Sequence, residues 1–137
     1  MKDHDLTIVR ATDPIPSRRL LVLGTGADAY WDETMRWAAS AQGNTSRSYF
    51  TAFCDALASR TDEKSGGVPQ LVGLYRVRNG ITFGIVIDGR KYFDGLPVGD
   101  LEDYGRTEWR DDAFQRIDPK TLTLVKGAQR QVRPRFQ

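Results

Sequence analysis

The chain has 137 residues, of which 39% are apolar and 28% charged, and its formal net charge is +2. This length and balance predict one folded domain over residues 1–137 and exclude a disordered chain. No apolar run approaches the roughly 20 residues that a membrane span needs, and the N-terminus lacks the pattern of a secretory signal. With a single cysteine, Cys54, these features favour a cytoplasmic protein that does not associate with membranes.

Two strands and a helix are predicted in the first third of the chain. Residues 6–11 have the pattern of a short strand, and the continuously apolar run "LLVLG" at residues 20–24 that of a central one. Asp28 is then expected to cap a helix that ends at Gly43 in a left-handed conformation. The apolar spacing predicts an inward stripe on this helix, made of Trp31, Met35, Ala38 and Gln42.

A second helix is predicted to follow the capping sequence "NTS" at residues 44–46. Apolar residues recur there at spacings of three and four, which is typical of a buried helix face. They are Phe50, Phe53, Cys54, Leu57 and Ala58. Because the connection is short, the two helices should lie antiparallel over residues 28–61.

Residues 70–94 carry the strongest strand signal. Asn79-Gly80 and Asp88-Gly89 are dipeptides that two-residue hairpin turns prefer, because both turn residues need positive φ. The first turn predicts that Val72 lies opposite Ile87, and the second that Ile85 lies opposite Tyr92. This register gives one apolar face that should pack on the helices, formed by Val72, Leu74, Ile81, Phe83, Ile85, Ile87 and Tyr92.

The predicted fold class is therefore α+β. An antiparallel β-meander of about five strands packs on an antiparallel helix pair, in the order β-β-α-α-β-β-β with a C-terminal arm. Residues 107–117 are expected to form a short helix that turns Trp109 and Ala113 inward. Residues 121–125 alternate like an edge strand.

The reverse face of the meander is also semi-apolar and places the bare Gly84 between Tyr75 and Phe93. Two explanations remain open for what covers this face: the C-terminal arm, or a second copy of the chain. The candidate interface residues on it are Tyr75, Gly84, Val86 and Phe93. Trp37 is a further candidate, because Trp31 and Trp37 lie six residues apart on one helix and cannot share the centre of one buried face.

The sharpest chemical motif is "LLVLGTGADA" at residues 20–29. It places a G-x-G-x-x-A spacing between a strand and a helix, where backbone amides can approach a phosphate group. The predicted anion or nucleotide site consists of Gly24, Thr25, Gly26 and Asp28. A second helix follows where a dinucleotide fold needs a strand, so the alternative is a turn that needs glycine for its geometry.

Residues 20–94 resemble the proteasome β-subunit and Ntn-hydrolase family in the order of their elements. A strand ends in a small-residue turn and Asp28, and two antiparallel helices and further strands follow. The resemblance implies an N-terminal Thr, Ser or Cys nucleophile on a leading hairpin. Residues 6–11 are too short to supply that hairpin and Thr7 is internal, so no activity is transferred to this chain.

Other chemistry finds little support in the sequence. The single histidine, His4, lies near the N-terminus, and Cys54 lies on the apolar stripe of the second helix, so neither a metal site nor a bound cofactor is predicted. The C-terminal residues 126–137 contain four cations and no acid: Lys126, Arg130, Arg133 and Arg135. This basic tail can bind nucleic acid weakly, or lie on an acidic face of its own chain or of a partner.

The sequence thus predicts a small non-enzymatic binding domain that self-associates, most simply as a homodimer. The first alternative is a ligand-binding protein or enzyme with a small anionic ligand at residues 24–28. The second is a weak nucleic-acid-binding protein that uses the basic tail.

Overall fold

The computed structural model describes residues 24–43, 45–73, 80–99 and 104–133. In these ranges the chain forms two helices, α1 (Ala27–Ala38) and α2 (Ser46–Ser59), followed by five strands. The strands are β1 (Val72–Gly73), β2 (Ile81–Ile87), β3 (Arg90–Phe93), β4 (Leu96–Pro97) and β5 (Glu108–Asp111). The α+β class is confirmed, whereas the two predicted leading strands, residues 6–11 and 20–23, lie outside the described residues.

The helices form the predicted pair, but their ends and faces differ in detail. α1 begins after Gly26 rather than Asp28 and ends at Ala38, well before Gly43. Gly43 is needed for another reason: a Cβ there would lie 2.6 Å from the carbonyl oxygen of Ala38. α2 begins with a reciprocal capping box between Thr45 and Ser48, which satisfies backbone donors at the start of the helix.

The inward face of α1 is the main correction to the helix prediction. Tyr30, Thr34 and Trp37 are buried, whereas Trp31 and Met35 of the predicted stripe are 43% and 69% exposed. The two sets lie on adjacent sides of the helix, so the apolar spacing fitted both of them. Ala52 of α2 packs against Tyr30 and Trp37, and this contact selects the face.

The sheet is built around β2. β3 pairs with it antiparallel, with Ile85 opposite Tyr92, as the Asp88-Gly89 turn predicted. Both turn residues have positive φ, 50° and 71°, which is what a type I′ turn requires. Asp94-Gly95, with φ of 48° and 77°, makes a second such turn into β4, which the sequence interpretation missed.

The register predicted across Asn79-Gly80 is wrong. Val72 pairs with Thr82 instead of Ile87, and Val72 is 78% exposed. The physical reason is competition for strand edges: β3 and β5 both pair with Ile85 and Val86, so they occupy the two edges of β2 there. β1 pairs only at the beginning of β2, and residues 74–79 lie outside the described residues.

The C-terminal part corrects another prediction, because residues 108–111 form strand β5 and not a helix. β5 runs parallel to β2, with Gly84 opposite Trp109. Residues 117 and 124 then form an isolated antiparallel bridge, in place of the predicted edge strand.

Two buried clusters lie on opposite faces of the sheet. The helix-side cluster joins Phe50 and Cys54 of α2 to Ile85. The arm-side cluster joins Val86 of β2 to Trp109 and Ile117. The C-terminal segment therefore covers the second face of the sheet, and of the two explanations left open by the sequence the structure selects the arm.

Candidate functional site

Thr25 of the predicted anion site binds a carboxylate of the chain itself. The hydroxyl of Thr25 donates a hydrogen bond of 2.7 Å to Oδ2 of Asp62, and the hydroxyl of Ser65 donates one of 2.5 Å to the same oxygen. These two bonds, the Ser65 bond first, lower the pKa of Asp62 below its ordinary value. A phosphate at this turn would meet a negative charge, because Asp62 remains ionised near neutral pH.

The glycines of this turn have a packing role. A Cβ at Gly26 would lie 2.8 Å from the hydroxyl oxygen of Ser65, so the loop over residues 62–65 approaches this glycine closely. Gly24 has a φ of 115°, a conformation that side chains disfavour. Asp28 lies in the first turn of α1 and does not cap it. The structural alternative, a turn that needs glycine for its geometry, accounts for these contacts.

Beside this turn lies an open groove of about 770 Å³. One wall is the C-terminal half of α2, the second is the loop over residues 60–69, and the third is the Asp88-Gly89 turn with its flanking strands. We call it the acidic groove. Five carboxylates line it: Asp55, Asp62, Glu63, Asp88 and Asp112. Apolar side chains, among them Leu57, Val68 and Ile87, contribute to the same walls.

Cys54 also lines the groove, and its side chain packs in the helix-side cluster. Its thiol is buried against Phe50 and Ile85, and burial, reinforced by Asp112 and Asp55, raises its pKa to about 12. The thiolate needed for nucleophilic attack is therefore scarce at neutral pH. The prediction that Cys54 serves core packing is confirmed.

Residues 129–133 of the C-terminal arm lie along a polar face of α2, in agreement with the alternative that the basic tail lies on acids of its own chain. Arg47 donates to the carbonyl oxygen of Gln129 at 2.7 Å, and the side-chain amide of Gln131 donates to the hydroxyl of Thr51 at 3.0 Å. Arg133 then binds Asp55 and, at 2.5 Å, Asp112. Positions 47, 51 and 55 are four residues apart and share one helix face. This polar spacing is the sequence signal from which the contact with the arm could have been predicted.

The basic tail is thus held, in part, by acids of the same chain. Of the four residues predicted to contact nucleic acid, Arg133 forms ion pairs with Asp55 and Asp112. Burial lowers the pKa of Arg133, but these ion pairs outweigh it and leave the pKa raised. Lys126 and Arg130 are exposed. Arg135 lies outside the described residues.

The predicted interface residues occupy different places from those expected. Trp37 is 1% exposed, and its indole nitrogen donates a 2.9 Å hydrogen bond to Asp55, so its placement at a surface is wrong. Gly84 and Val86 are buried beneath the C-terminal segment. Phe93 is half-buried against Tyr104 at a centroid distance of 4.9 Å. Tyr75 lies outside the described residues.

A different apolar surface is open on the helix pair. Trp31 and Met35 of α1 face outward, and so does Phe53 of α2, which is 40% exposed. The prediction that Phe53 belongs to the buried face of its helix is therefore wrong. Tyr30 connects them, with ring centroids 5.8 Å from Trp31 and 6.1 Å from Phe53. We call Trp31, Met35 and Phe53 the aromatic surface.

Neither a metal-binding cluster nor a membrane-spanning helix occurs in the part of the chain that the structure describes. No group of three or more His, Cys, Asp or Glu side chains there is arranged to hold a metal ion. None of the helices described combines the length and apolar character required to cross a bilayer.

Comparison with known proteins adds no assignment: no protein-family model matches the sequence, and neither a curated protein nor a solved structure matches it significantly.

Proposed function

We propose that this chain is a small non-enzymatic binding domain that associates with a second copy of itself through the aromatic surface. The observation that carries the proposal is the outward position of Trp31, Met35 and Phe53 on adjacent helices. Tryptophan and methionine are enriched in protein interfaces relative to the rest of the protein surface. On the sheet face first considered for this role, Val86 packs with Trp109 and Ile117 of the same chain, which favours the aromatic surface instead.

The charges beside the aromatic surface favour a second copy as the occupant. Asp28 lies in the first turn of α1, and Arg36 lies in the last, where it also pairs with Glu33 of the same helix at 2.9 Å. Asp32 lies between Asp28 and Arg36. A two-fold axis that pairs two α1 helices antiparallel brings the acidic beginning of one helix beside Arg36 of the other. The same surface is thus complementary to itself in charge as well as apolar in its centre.

Sedimentation equilibrium over a wide concentration range tests this proposal. The natural chain should move from monomer to dimer, and a Trp31→Glu/Met35→Glu variant should remain monomeric because two buried charges oppose association. Leu96→Glu is the matched control, since Leu96 is 68% exposed on β4, away from the helices. A natural chain that remains monomeric throughout would remove the proposal.

Charge-exchange variants test the antiparallel pairing of the two α1 helices. Asp32→Arg and Arg36→Asp should each weaken the dimer, and the double exchange should restore part of the affinity. If the double variant is as weak as the worse single variant, the antiparallel arrangement of the α1 helices is wrong even if a dimer forms.

A further inference from the structure

The acidic groove shares no lining residue with the aromatic surface, so a ligand in it does not depend on self-association. α2 packs against the sheet through Phe50 and Cys54, against α1 through Ala52, and against the C-terminal arm through Thr51. The groove opens where these three contacts end, at the C-terminal half of the helix.

The groove carries an excess of acids. Among the described residues that line it, five carry carboxylates and one, Arg60, carries a guanidinium, and Arg133 at its edge pairs with two of the five acids. The carboxylates come from four separate parts of the fold: α2, the loop after it, the Asp88-Gly89 turn and the segment after β5. Their convergence therefore results from tertiary structure and not from a run of acids in the sequence. Such a concave surface attracts cations and repels phosphates.

One guanidinium is already bound at the edge of this groove. Arg133 contacts Asp55 with one terminal nitrogen and Asp112 with the other, and both acids line the groove. The planar guanidinium of arginine suits two acceptors at once, which a lysine ammonium does not reproduce. The remaining acids of the groove include Glu63 and Asp88, both exposed.

The arm also shows how an extended segment fits α2. Its contacts use residues 129, 131 and 133 against helix positions 47, 51 and 55. Two residues of an extended chain rise about 6.6 Å and four residues of a helix about 6 Å, so every second residue meets every helical turn. Apolar side chains of the groove, such as Leu57 and Ile87, can contact the residues between the cations.

We infer that the acidic groove binds an extended peptide segment of another protein in which arginines alternate with apolar residues. The arginines pair with Glu63 and Asp88 in the manner in which Arg133 pairs with Asp55 and Asp112. The apolar residues contact the aliphatic part of the groove. Charge complementarity selects this occupant over an anionic ligand, which the same carboxylates repel.

The test uses a fluorescein-labelled peptide of alternating arginine and leucine, whose binding is followed by fluorescence anisotropy. The natural chain should bind it with an affinity that falls as salt is raised. The same peptide with citrulline in place of arginine has nearly the same shape and no charge, and it should not bind measurably.

Variants locate the site. Glu63→Gln/Asp88→Asn should weaken peptide binding on the order of tenfold, because two exposed ion pairs are lost. Asp94→Asn is the matched control: Asp94 occupies the same position of a turn of the same kind, with a φ of 48° against 50° for Asp88, but does not line the groove. Asparagine is accepted at both positions, so all variants should fold.

Three results would overturn the inference: no binding, equal binding of the citrulline peptide, or equal weakening by Asp94→Asn. The Trp31→Glu/Met35→Glu variant separates the two proposals. If it binds the peptide as the natural chain does, the groove acts independently, and failure of either proposal leaves the other intact.

Discussion

The two faces of β2 are covered in different ways. On the helix side, Ile85 is 2% exposed and packs against Phe50 and Cys54 of α2. On the arm side, Gly84 leaves a space that the indole ring of Trp109 fills, and a Cβ at Gly84 would lie 2.3 Å from that ring. The difference shows that a periodic apolar pattern builds the first face, whereas a glycine and the ring opposite it on β5 build the second.

Loss of the ring should have the largest effect. Trp109→Ala removes the centre of the arm-side cluster and should lower the free energy of unfolding by about 4 kcal/mol, the usual cost of a buried tryptophan. Urea unfolding followed by far-UV circular dichroism measures it without depending on tryptophan fluorescence. Leu96→Ala, at an exposed position, should change stability by less than about 0.5 kcal/mol.

Ile85→Ala should lower the free energy of unfolding slightly less, by about 3 kcal/mol, because it leaves a cavity between β2 and α2. The same unfolding measurement applies. Ile87→Ala, at a half-buried position of the same strand, should cost clearly less. Equal losses at the two positions would contradict the packing of Ile85 at the centre of the helix-side cluster.

Gly84→Ala should destabilise the protein by about 2 kcal/mol, since even a methyl group collides with Trp109. Gly99→Ala is the control, because a Cβ there has no atom within 4 Å. In a Trp109→Ala background the Gly84→Ala change should cost almost nothing, because the colliding ring is gone. A neutral Gly84→Ala in the natural chain would show that the ring does not need this space.

The smallest effect concerns coupling between the faces. Ile85→Val and Val86→Ala alter neighbouring residues whose side chains belong to different clusters. Their effects on unfolding free energy should add to within about 0.5 kcal/mol. A larger coupling would mean that the two faces behave as one core.

Several features followed from short stretches of sequence. The Asp88-Gly89 turn, the register of β2 with β3 and the burial of Cys54 were predicted, because each depends on residues close together in the chain. The inward face of α1 was not, since Trp31 and Met35 fit the helical period as well as Tyr30 and Trp37 do. The groove was not predicted either, because its acids come from four separate segments.

The sequence by itself determined where β2 and its turn to β3 form, since alternation and positive φ are properties of adjacent residues. Tertiary structure decided which segments pair with the two edges of β2, and thereby displaced β1 and recruited β5. The reason is that a strand offers only two edges, and distant segments compete for them through contacts that no local pattern records.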